Sequence, residues 1–150
     1  MNVHNVDVQL IHFFRRVSVP LARFGLFIIF FWFGLLKVIG LSPASGLVQS
    51  LFENTIPWME FSTFLILFGL FEMLIGVLFL IRGVERIVIP LLFIHMITTF
   101  MPLFLLREET WSGLLVPTME GQYIIKNIAL IAAAVGIAAH LHPLPSNKNI

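Results

Sequence analysis

The chain has 150 residues, of which 59% are apolar and only 11% charged, with a formal net charge of +1 and a mean hydropathy of +0.99. Soluble domains carry nearer a quarter charged residues, and a soluble core of this size leaves much of its surface wet, so lipid is the expected solvent. Cysteine is absent, which excludes disulfides, thiolate metal sites and cysteine nucleophiles, and no basic cluster points to nucleic acid.

Along the chain, Val3, Val6, Leu10, Phe13 or Phe14, and Val17 recur at three- and four-residue steps against Asn5, Asp7, Gln9 and the Arg15-Arg16 pair. That pattern predicts an amphipathic helix over residues 1–19 lying in the membrane interface; a plain extension of the first span is the alternative. No cleavable signal is expected, because no small-residue cleavage site follows the first apolar run. Four apolar segments follow, at about 20–41, 61–81, 87–106 and 122–141. Each is near the ~20 residues that cross a ~30 Å hydrocarbon layer as a helix. Pro90 and Pro102 fall inside the third, where neighbouring helices must shelter the freed carbonyls. The runs are continuously apolar and too long for barrel strands, so the predicted fold class is all-α: a four-helix integral membrane bundle forming one domain.

The connectors predict orientation. Arg15, Arg16, Arg23, Arg82 and Arg86 stand against Arg107 alone, five to one in favour of the N-terminal side, and Lys148 adds to that side. The positive-inside rule then places both termini in the cytoplasm. Trp58, Trp111 and Tyr123 fall at the opposite interface. In the first outer loop, Ser42-Pro43 suits a helix start, and Leu47, Val48, Leu51 and Phe52 make one apolar face. Residues 143–150 read as a disordered tail.

Four ionisable groups sit where lipid should not tolerate them: Lys37, Glu72, His95 and Lys126. By the ~1.5 Å rise per residue, Glu72 and His95 fall close to the bilayer centre and both lysines roughly 9 Å towards the outer side. Glu72 shares a helical face with Gly69 and Gly76, Lys37 with Gly34, Lys126 with Ala129 and Ala133, and His95 with Thr98, Thr99 and Pro102. Small and hydroxyl residues favour helix–helix contact in membranes, so the four are expected to converge. Two lysines against one glutamate would leave a positive site suited to an anion. The bland readings are snorkelling for the lysines, a structural ion pair for Glu72, packing for His95, and packing or lipid contact for Trp32. His140 and His142 end the last span, where cations suit the helix dipole. No metal site is expected, and a lone deep histidine does not make the usual bis-histidine haem site.

The stretch Phe31-Trp32-Phe33-Gly34-Leu35-Leu36-Lys37, the run Gly69-Leu70-Phe71-Glu72 with Gly76, and Gly121-Gln122-Tyr123-Ile124-Ile125-Lys126-Asn127 resemble the DoxX family. Within it they are most similar to the inner-membrane branch associated with reactive-chlorine resistance, as is Thr98-Thr99 ahead of Pro102. The resemblance implies a multi-pass protein of the bacterial inner membrane in a redox or stress-defence system, with Lys37, Glu72 and Lys126 at the family's matched positions. Some members are named as the small membrane subunit of a thiosulfate:quinone oxidoreductase, which makes a quinone and an oxidoreductase partner subunit the implied associates. Asn127 departs from the acidic residue often found there, and the outer-loop insertion of the chlorine-resistance branch is shortened. The reading of the sequence is therefore a Lys37–Glu72–Lys126 cluster with His95, lined by Trp32, Thr98, Thr99 and Asn127, holding a small anion or a quinone headgroup. The alternatives are a non-catalytic scaffold subunit and a transporter that works as a homo-oligomer.

Overall fold

A computed structural model describes residues 3–56 and 58–143; most of the expected tail, Lys148 included, lies outside them, as do residues 1 and 2 of the expected interfacial segment. Helix α1 runs Val3–Val38, α2 Ser45–Thr55, α3 Phe61–Leu80, α4 Glu85–Phe100, α5 Pro102–Leu105 and α6 Arg107–Thr110. A two-stranded hairpin, β1 (Trp111–Gly113) and β2 (Val116–Pro117), leads into α7 (Met119–Lys126) and α8 (Ile128–Ala138). Four helical stretches are long and apolar enough to cross a membrane: Val3–Val38, Phe61–Leu80, Glu85–Leu105 and Met119–Ala138.

Three boundaries differ from the sequence reading, each for a local reason. The expected N-terminal helix and first span are one continuous helix, Val3–Val38, as the alternative of a plain extension would have it, and its 36 residues include Pro20 without interruption. The missing proline N–H removes one ladder bond, which a membrane helix tolerates. At ~1.5 Å per residue α1 is about 54 Å long, well beyond the ~30 Å hydrocarbon layer. In the third span Pro102 interrupts the ladder at Met101, whose backbone stays helical (φ −51°, ψ −41°), so α5 continues α4. In the fourth, α7 and α8 meet at Asn127, again in helical conformation (φ −64°, ψ −13°). The start of α2 also shifts: Ala44 is its N-cap and makes no side-chain cap bond, while Ser42 closes the turn before it by accepting the Ser45 hydroxyl at 2.9 Å.

The spans pack in a ring, α1 against α3, α3 against α4, α4 against α8, and α8 back against α1. Leu26, Phe30, Ile75, Phe79, Val88, Leu92, Met96, Ala134 and Ile137 fill its centre. The α1–α3 crossing is the closest. A Cβ built on Gly34 would stand 2.5 Å from the Gly69 carbonyl oxygen, and one on Gly69 2.6 Å from that of Gly34. About two turns further along α3, a Cβ on Gly76 would meet the Phe31 amide nitrogen at 2.8 Å. Backbones this close exclude any side chain, which is why three small residues line the seam.

At the opposite end of that seam from Gly34, Arg23 ties three helices together. Its guanidinium donates to the carbonyls of Phe79 (3.2 Å) and Ile81 (3.3 Å) at the end of α3, and it forms an ion pair with Glu85 in the first turn of α4. A helix C-terminus leaves carbonyls without partners, and a planar five-donor group suits them. The sequence reading placed Arg23 among the topology-setting charges and passed over Glu85.

Candidate functional site

Lys37, Glu72 and His95 come from α1, α3 and α4 and meet inside the bundle. They are 6%, 6% and 4% exposed. The Lys37 ammonium donates to Glu72 Oε2 at 2.6 Å, and the other carboxylate oxygen, Oε1, lies 3.4 Å from His95 Nε2. The geometry follows from the seam: Gly69 is one turn before Glu72, and the Lys37 Cβ stands only 3.0 Å from where a Gly69 Cβ would be. Glycine there lets the lysine stem lie along α3 and turn inward, instead of reaching for the headgroups.

Threonines fix the histidine. The Thr98 hydroxyl donates to the His95 carbonyl at 2.7 Å, and the Thr99 hydroxyl donates to the same carbonyl at 3.1 Å while lying 3.3 Å from His95 Nε2. A hydroxyl has one proton to give. Beside a carboxylate oxygen, which can only accept, Nε2 is the ring nitrogen that donates, and the Thr99 oxygen is then an acceptor to it. A neutral ring in that arrangement carries its proton on Nε2 and leaves Nδ1 as a lone pair. Nδ1 is buried and has no hydrogen-bond partner, an uncommon state for an interior polar atom.

Aromatic rings enclose the triad. His95 lies 5.4 Å from the Phe30 ring, 5.2 Å from Phe68 and 6.1 Å from Phe71, centre to centre. Lys37 Nζ also lies 5.5 Å over Phe68. Phe68 stacks on Phe64 at 5.5 Å, and Phe64 on Phe52 of α2 at 4.8 Å. A column of three phenylalanines thus runs from α2 to the buried charges. The apolar face expected for α2 is what supplies its end: Phe52 is buried while Gln49, Glu53 and Asn54 face out.

Other expected members stand elsewhere. Lys126 is exposed, with its ammonium 5.1 Å over the Tyr123 ring, and forms no ion pair among the described residues. The excess positive charge expected of two lysines is therefore not present in the triad, where one ammonium faces one carboxylate. Trp32 is 58% exposed and turned out of the bundle, so it lines nothing there. Asn127 sits at the α7–α8 joint, and no side-chain hydrogen bond links it to the triad among the described residues. Thr99 does line the site, whereas Thr98 is turned back onto its own helix. His140 Nδ1 lies 2.8 Å from the Gly136 carbonyl at the end of α8. The outward apolar groove of about 390 Å³ between α4, α5 and α8 is lined by residues including Phe93, Ile97, Phe104 and Ile131 and does not open on the triad.

Comparison of the chain with family models, curated proteins and solved structures finds no match. The functional reading therefore rests on the site.

Proposed function

We propose that the chain is a DoxX-like inner-membrane protein of a redox or stress-defence system. In this reading its Lys37–Glu72–His95 triad takes the headgroup of a quinone in the reduced, hydroxyl-bearing form, in assembly with an oxidoreductase partner subunit. The observation that carries the reading is the unpartnered His95 Nδ1. As an acceptor it calls for a ligand with an O–H or N–H, and the balanced Lys37–Glu72 pair beside it does not favour an anion. Electron exchange is the chemistry a quinone supplies when bound. The chain's own groups would orient the headgroup and hold protons: Nδ1 accepts from a hydroxyl, and Nε2 is held by Glu72 and Thr99. Phe68, half-buried over both Lys37 and His95, is the ring that must swing aside to admit it.

A short-chain benzoquinol tests this in detergent-solubilised protein. It is expected to raise the melting temperature of the wild type, by the equivalent of about 2.7 kcal/mol at a hundred times its Kd, and to leave His95→Phe unmoved. A rise with thiosulfate instead of the quinol would transfer the site to an anion. No rise with either would leave the second reading, a scaffold subunit, which the closed and charge-balanced Lys37–Glu72 pair also supports.

The same proposal puts both termini on the cytoplasmic side, supported by the arginine asymmetry; because α1 runs unbroken from Val3 to Val38, its first residues extend the span past the hydrocarbon layer on that side. Reporter fusions at residues 48 and 115 are expected to read as extracytoplasmic and a fusion at residue 84 as cytoplasmic; the opposite pattern would reverse the orientation.

A further inference from the structure

The hairpin between the third and fourth spans presents an apolar tip that its local chemistry does not explain. Trp111 pairs with Pro117 and Gly113 with Val116, leaving Leu114 and Leu115 at the turn, 94% and 81% exposed. Leu115 has φ +59°, in the left-handed region that glycine or asparagine occupies at little cost and a leucine resists. A water-facing turn would gain from a small polar residue there. Both tip positions instead carry the same large aliphatic side chain.

The hairpin is also held firmly. The Trp111 indole N–H donates to the Leu103 carbonyl at 3.0 Å, the Thr118 hydroxyl to the Glu109 carbonyl at 2.7 Å, and Thr110 is buried with its hydroxyl on the Leu106 carbonyl at 2.9 Å. Leu103 belongs to the last turn of the third span, so the base of the hairpin is fastened at the membrane boundary. Three strand residues reach ~10 Å at most, and the headgroup layer is roughly 5–8 Å deep on each side. The tip therefore cannot leave the vicinity of the bilayer surface. Residues 110–119 carry no Asp, Glu, Lys or Arg, and Met119, which follows the hairpin, is itself exposed.

We infer that the Leu114-Leu115 tip is a lipid anchor, inserted into the boundary between headgroups and acyl chains of the leaflet on its own side. The lipid surface rewards the two leucines where water does not, and it lies within reach of the short, fastened hairpin. An anchor there fixes the depth of the α7 start, and with it the rim position of Lys126.

The absence of cysteine makes the test direct. Single variants Leu114→Cys, Leu115→Cys and, as a water-facing control, Glu108→Cys carry a nitroxide in the full chain, reconstituted in phosphatidylcholine–phosphatidylglycerol vesicles. Collision with oxygen, which concentrates in lipid, is compared with collision with a nickel chelate, which stays in water. The expected result is an oxygen-to-nickel ratio several-fold higher at both tip positions than at residue 108. Equal ratios, or nickel dominance at the tip, would overturn the proposal in favour of a water-facing loop. Shielding from both reagents would overturn it in favour of protein cover, with spin–spin broadening marking a second copy. The Leu114 position is almost fully exposed, so the label does not threaten folding.

Discussion

Replacing Glu72 by leucine is expected to destabilise the detergent-solubilised protein by about 3–5 kcal/mol, the usual cost of removing one partner of a buried ion pair. The loss comes less from the vanished attraction than from the charge left behind. The Lys37 ammonium is enclosed, donates its hydrogen bond to Glu72 at 2.6 Å, and lies over the Phe68 ring. Against a total stability of about 5–15 kcal/mol, such a loss is roughly a fifth or more of what holds the fold. Adding Lys37→Met to the same chain is expected to restore most of it, because an apolar pair of similar volume needs no desolvation. Unfolding curves for the wild type, both single variants and the double variant close the cycle. A Glu72→Leu effect below about 1 kcal/mol, the value of an exposed pair, would refute the burial. The cycle also separates the two functional readings: a scaffold would work again in the restored double variant, whereas a headgroup site would be stable and empty.

The second large effect is expected at the helix crossing. Gly34→Ala places a methyl 2.5 Å from the Gly69 carbonyl oxygen, and backbone cannot rotate out of the way as a side chain can. The helices must part, at a cost of about 1–3 kcal/mol for one added carbon and more for valine. Because Lys37 and Glu72 flank this crossing, separation also lengthens their 2.6 Å contact, so benzoquinol stabilisation is expected to fall along with the melting temperature. Gly136→Ala is the control, since nothing lies within 4 Å of its added carbon. There the helix preference for alanine is expected to leave stability unchanged or raised by up to about 1 kcal/mol. Equal effects at residues 34 and 136 would show that the crossing is looser than its geometry.

The four spans were legible without coordinates because spanning is a property of one segment at a time. A run of apolar residues matched to the bilayer thickness forms a helix whatever its neighbours do, since lipid offers its backbone no other partner. The same one-segment logic picked out Lys37, Glu72 and His95 as costly, Gly34, Gly69 and Gly76 as seam residues, and the apolar face of α2. The choice of partner was not legible. Lys37 and Lys126 have the same long stem and similar assigned depths; one meets Glu72 and the other meets Tyr123. What separates them is the Gly34–Gly69 contact, which brings α1 within a lysine's reach of α3. Trp32 looked like a lining residue by its place in a motif, yet the rotation of α1 that buries Gly34 and Lys37 turns it outward. Arg23–Glu85, the bare Nδ1 of His95 and the Leu114-Leu115 tip likewise arise only when separate helices or strands are brought together. The sequence determined which groups needed an answer from the bundle, through the cost of lipid; the tertiary structure decided the answer, because a side chain's partner depends on the rotation and spacing of helices that are far apart in the chain.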